Sequence, residues 1–156
     1  MAAEYVFRSP TPADIAFLAA NMRQADIAEI QAAGDARSLF DVVRDGVFDS
    51  DLCVAVESCG ELLCIGGAAG RSLMSSKGIA WMLCTKAIEK HNRLFLLHGR
   101  DCVRVLLLRY ASLHNCVDAN NVKSIRWLKK MGFAIQEPLP HPISGRMFCR
   151  FSISRK

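Results

Sequence analysis

Apolar positions along this chain change period several times, and each change marks a predicted element. Tyr5 to Arg8 reads as a short strand that runs into Ser9-Pro10-Thr11-Pro12-Ala13-Asp14. There Thr11 can cap a helix, Pro12 suits its first turn and Asp14 favours its positive end. Ile15, Leu18 and Met22 recur at helical spacing, and Ile27 and Ile30 begin a second apolar face that ends at Gly34. A third amphipathic helix is predicted over about Ala36 to Arg44, with Leu39, Phe40 and Val43 together, closing at Gly46.

From Leu52 the period becomes that of strands. LCVAVE, a Ser58-Cys59-Gly60 turn and ELLCIGGAA give a hairpin signal, and GIAWMLCT over Gly78 to Thr85 is a further apolar strand. A long helix is predicted from Asn92 to Tyr110. Phe95, Cys102, Val103, Leu106, Leu107 and Tyr110 fall on its one face, and Gly99 allows close approach. Leu113 to Asp118 reads as a strand and Val122 to Met131 as a helix, with Gly132 placed for a positive-φ cap. Pro138, Pro140 and Pro142 mark a loop before a last strand, Arg146 to Ser154. Strand, helix, strand, helix, strand implies a right-handed crossover with partly parallel pairing. The fold class is α/β (α+β), a mixed central sheet of about six or seven strands flanked by helices.

The 156 residues suit a single domain, 1–156. With 51% hydrophobic and 22% charged residues the chain can bury a sizeable core. Apolar runs such as Leu94 to Leu97 fall far short of the roughly 18 residues of a spanning helix, so no membrane-spanning segment is expected. Glu4 and Arg8 interrupt the N-terminus, which does not read as a secretory signal. The net charge of +5 is spread along the chain. Its best nucleic-acid candidate is Lys123, Arg126, Lys129 and Lys130, a set better read as a solvated helix face. Cys53, Cys59, Cys64, Cys84, Cys102, Cys116 and Cys149 form no CxxC pair and are expected to be buried and reduced, with no metal site. His91, His98, His114 and His141 are scattered.

The stretch from Asn121 through Ser124 and an amphipathic helix to Gly132-Phe133 resembles the signature of the GNAT acetyltransferases. Three separated segments resemble, more narrowly, the GNAT-like small internal virion proteins of short-tailed phages. They are Asn-Met-Arg-x-Ala-Asp-x-x-Glu-Ile at Asn21 to Ile30, Gly-Ile-x-Trp-Met-Leu-x-Thr at Gly78 to Thr85, and Val-Asp-Ala-x-Asn-x-x-Ser-Ile-Arg-Trp-Leu at Val117 to Leu128. The broader resemblance implies that Gly78 to Thr85 is the strand that carries acetyl-CoA and Asn92 to Tyr110 the helix that receives its pyrophosphate. Under that reading the coenzyme would meet Met82, Leu83, Cys84, Lys90, Arg93 and Asn121. The narrower one implies a bacteriophage virion protein, internal or ejected with the DNA. Its partners would be other virion proteins or copies of itself, and its location the particle or, during assembly, the infected host's cytoplasm.

Two features that acetyl transfer needs are missing. Active members hold the pyrophosphate on a glycine-containing loop whose backbone N–H groups converge on the anion at a helix N-terminus. Here Thr85 to Arg93 contains no glycine, leaving Lys86, Lys90 and Arg93 as side-chain contacts. Many members protonate the departing thiolate with a tyrosine seven residues after the signature Asn. That position is Leu128, which has no proton to give. Trp127 is too weak an acid and Tyr110 lies on another helix. Glu57, Glu61, Asp118 and His114 are unremarkable as bases, and Asn121 reads as a helix cap in competition with Asn120 and Asp118. The sequence therefore points to a non-catalytic virion-associated protein with no cofactor and no assigned catalytic residue. The alternative is an acetyl-CoA-dependent N-acyltransferase with an atypical phosphate site, acting on a host protein or small amine. A nucleic-acid-associated internal protein is a third reading.

Overall fold

The computed structural model describes residues 4–156, so the first three residues of the N-terminal reading lie outside it. β1 (Val6–Arg8) leads into α1 (Pro12–Asn21), where Thr11 and Asp14 form a reciprocal capping box and Pro12 opens the helix. An extended break at Met22 and Arg23 separates α1 from α2 (Gln24–Ala32), and Met22 bridges to Thr85 across that break. α3 (Leu39–Asp49) runs through Gly46 instead of stopping there. A Cβ on Gly46 would lie 3.2 Å from the Trp81 ring, so the glycine serves close packing against the sheet rather than a cap.

β2 (Leu52–Ser58), β3 (Glu61–Gly70) and β4 (Lys77–Cys84) form an antiparallel meander. A 3₁₀-helix (Lys86–Lys90) and α4 (Arg93–Arg109) then cross to β5 (Ser112–Asp118), which pairs in parallel with β4. α5 (Val122–Met131) is followed by β6 (Ala134–Ile135), β7 (Leu139–Pro140) and β8 (Met147–Ser154). The sheet runs β1-β2-β3-β4-β5-β8-β6, with β7 also on β8. Its eight strands exceed the six or seven expected because Leu139 and Pro140, read as loop, pair with Phe148 and Met147. Proline tolerates such an edge position, where its missing N–H is not needed.

Strand alternation sends large side chains to opposite faces. Ile65, Ala55 and Leu62 meet Ile15, Leu18 and Val43 beneath α1 and α3, while Leu63, Cys64 and Val56 meet Phe95 and Trp127 beneath α4 and α5. Trp127 and Phe133 are buried as the helix-to-strand reading requires, and Gly132 caps α5 in the left-handed region at φ 103°. Tyr110 is fully buried just past α4, its hydroxyl donating to Asp51. The cysteines are all free thiols; Cys64, Cys84 and Cys149 are buried as expected, whereas Cys59 and Cys116 are exposed at a turn and on a strand. Lys123, Arg126, Lys129 and Lys130 lie on the exposed side of α5, with Lys123 paired to Glu89. No described helix is long and apolar enough to cross a membrane.

Candidate functional site

β4 and β5 pair only over Lys77–Ile79 and Ser112–His114. Asn115 adds one more link, its side-chain amide donating to the Ala80 carbonyl at 2.8 Å. Beyond that the two strands part, and Met82 to Cys84 border the gap. Because backbone groups alternate sides along a strand, Cys84 and Met82 turn their N–H and C=O away from β3 and into the opening.

α2 occupies the inner part of this gap. The Cys84 N–H donates to Asp26 Oδ2 at 2.8 Å, and the Cys84 carbonyl accepts from the Arg23 N–H at 2.8 Å. The Arg23 guanidinium donates to Asp26 Oδ1 at 2.7 Å and to Ser124 Oγ at 2.9 Å, and lies 4.8 Å over the Trp127 ring. On the β5 side Glu29 Oε1 accepts the Asp118 N–H at 2.8 Å and the Asn121 amide at 3.2 Å. Arg23, Asp26 and Glu29 follow at three-residue steps, so a single helical face carries a polar strut from one parted strand to the other.

The strut is largely shielded from water. Arg23 is 5% exposed and Asp26 3% exposed, which makes them a paired buried charge rather than a surface bridge. Burial pushes the Asp26 carboxyl up, with the pull of Arg23 opposing it. Burial also pushes Glu29 up to about 7, against the hydrogen bonds from Asp118 and Asn121. Arg23 Nε is buried with no protein partner. Met82 is different. Among the described residues, no hydrogen bond from a turn, cap or other loop contact reaches its backbone, so one position of β4 stays open to the gap.

Of the residues the resemblance assigns to a coenzyme, Cys84 and Asn121 come together through this strut. Both are already engaged, since Asn121 caps α5 by accepting the Ser124 N–H at 3.3 Å. Met82 borders the same gap, but Leu83 faces the opposite side of the sheet and packs with the α1–α3 cluster. Lys90 and Arg93 are exposed at the end of the 3₁₀-helix and the start of α4. The glycine-free stretch forms no anion nest. The Ile88 and His91 N–H groups are consumed by Thr85 and Ile88 carbonyls inside the 3₁₀ turn. α4 begins at Asn92 without a side-chain cap. As arranged, Cys84 and Asn121 are occupied by partners within the protein, and Lys90 and Arg93 offer side chains alone.

Leu128 is packed against the core beside Phe133 and Phe151, with no hydroxyl in its place. Tyr110 lies beyond the paired end of β4 and β5, and burial pushes it up to about 12. Among the candidate bases, Glu57 is held by Arg8 at 2.7 Å, Asp118 by Arg146 at 2.6 Å, and Glu61 and His114 are exposed. Sequence reasoning passed over Arg23, Asp26 and Glu29. Their signal was in plain view, since they are the charged positions of the Asn21–Ile30 segment, but their partners lie on β4 and β5.

No protein-family model matches this sequence, and no curated protein matches it. Solved structures do. A spermidine N-acetyltransferase from Vibrio cholerae in complex with CoA and spermine superposes with a TM-score of 0.71 at 14% identity, covering 96% of this chain and 95% of the other. Aminoglycoside acetyltransferase AAC(6')-Ib in complex with coenzyme A gives 0.67 at 18% identity, over 97% and 95%. An acetyltransferase of the GNAT family from Streptococcus pneumoniae gives 0.66 at 13%, over 98% and 100%. The near-complete overlap with these structures shows that the chain has the GNAT fold.

Proposed function

We propose that this chain is a GNAT-fold protein that does not transfer acetyl groups and acts by binding other proteins of a phage particle. The observation that carries the first half is the engagement of both Cys84 backbone groups by Asp26 and Arg23, where a coenzyme would have to enter. The 3₁₀-helix in place of a glycine nest and Leu128 in place of an acid support it. The second half rests on the three segments that resemble internal virion proteins. Fold alone does not choose a function.

A second reading, an acetyl-CoA-dependent N-acyltransferase, is favoured by the comparisons, because the structural neighbours named above are acetyltransferases. Two local features favour it as well: the open backbone of Met82 and a carboxyl at Glu29 poised near neutrality in the gap. It requires α2 to withdraw from Cys84. The two readings separate in one assay: purified protein, acetyl-CoA and a set of acceptors comprising a polyamine, an aminoglycoside and a peptide α-amine, with release of the coenzyme thiol followed over time. We expect no release above the protein-free rate. Turnover would overturn the first reading in favour of the second. Peptides of this chain in purified particles of the phage encoding it would support the virion assignment, and their absence would remove it.

A further inference from the structure

The geometry points to a binding site for a single unbranched alkyl chain beneath α4. A cavity of about 580 Å³ lies between that helix and the sheet, well within the size range of small-molecule sites. The polar strut lies in the gap between β4 and β5, and Arg23, Asp26 and Glu29 are not among the residues that line the cavity.

The void is written into the side chains. The sheet face toward α4 carries Cys64, Gly66, Ala68 and Ala80 where the opposite face carries Ile65, Trp81 and Leu83. α4 answers with Gly99 and Cys102. The helix cannot settle onto this shallow floor because it is propped along its length. Phe95 stacks on Trp127 at 4.3 Å near its start, Gly99 abuts Met131 of α5, and Tyr110 just past its end is tied to Asp51.

Shape and chemistry select the occupant. The walls run from Phe7 on β1 past Val54 on β2 to Met82 on β4, three strand spacings or about 14 Å, and end at Leu128 and Phe151. That is a slot for an extended chain of medium length. Its lining is carbon and sulfur almost throughout, so a polar ring system would find nothing to orient it. His98 and Asp101 are the polar side chains of the lining, so the headgroup belongs at their end, in water.

The test uses the whole protein with dodecanol, dodecanoate, dodecanoyl-CoA and butyrate. Dodecanol and dodecanoate are expected to raise the melting temperature by at least about 3 °C, and butyrate to leave it unchanged. Dodecanoate brominated at its far end should quench tryptophan fluorescence, since Trp127 stacks on Phe95, which lines the cavity. Cys102→Trp, which fills the slot from α4, should abolish both responses and melt no lower than the wild type. Tighter binding of dodecanoyl-CoA than of dodecanoate would support the site and identify a thioester as the chain's source, while equal binding would identify a free chain. No response to any long chain, or an equal response in Cys102→Trp, would overturn the proposal. Should that variant fail to fold, the wild-type series decides, and equal effects of butyrate and dodecanoate would overturn it.

Discussion

Asp26 accepts from the Arg23 guanidinium with one oxygen and from the Cys84 N–H with the other, all in a nearly dry site. Removing it strands a buried cation and a buried amide together, so Asp26→Ala should cost about 3–5 kcal/mol in urea unfolding. A loss below about 1 kcal/mol would mean that the strut is solvated and loosely held. Glu29 has the opposite character. Its folded pKa of about 7 lies above the ordinary value of 4.5, so the folded state holds an extra proton between those limits. Stability from this group is therefore greatest at low pH and is lost as pH rises toward 7. Glu29→Gln keeps the accepting oxygen and drops the titration. Its stability relative to wild type should improve by on the order of 2 kcal/mol between pH 5 and pH 8, allowing for partial exposure of the carboxyl. A difference that does not move with pH would contradict the assigned burial.

At the scale of elements, what sequence could reach was set by how local the cause is. The capping box of α1 and the run from Asn121 to Phe133 were legible because every contact that defines them lies within a few residues. Gly132→Ala should cost about 1–2 kcal/mol, since φ is 103° and the added Cβ would lie 3.3 Å from Ile153. Unchanged stability would show that the cap is not held in the left-handed region. Phe133→Ala should cost about 3 kcal/mol, the low end for a core aromatic, because the ring packs edge-on to Phe151 but also borders the cavity. α3 was misjudged at its end because Gly46 reads as a stop until Trp81 is seen against it. The role of α2 was beyond reach for the same reason, as Asp26 and Cys84 are 58 residues apart and only the fold brings them together.

Across the whole molecule, alternating strands and helices with one parallel pair were enough to anticipate a mixed sheet, and the described residues form one of eight strands. The identity of the chain that enters the gap was not anticipated. In this protein it is α2, which joins the parted strands through its own side chains. The most direct test of that claim is thermal unfolding with acetyl-CoA. A ligand at a hundredfold excess over its Kd adds about 2.7 kcal/mol, which for a domain of this size raises the melting temperature by roughly 5–11 °C. With the Cys84 backbone engaged and no glycine nest before α4, millimolar acetyl-CoA should shift the transition by no more than about 1 °C on that scale. A rise of about 5 °C or more on that scale would mean that α2 yields the gap to the coenzyme and that the cleft is not closed.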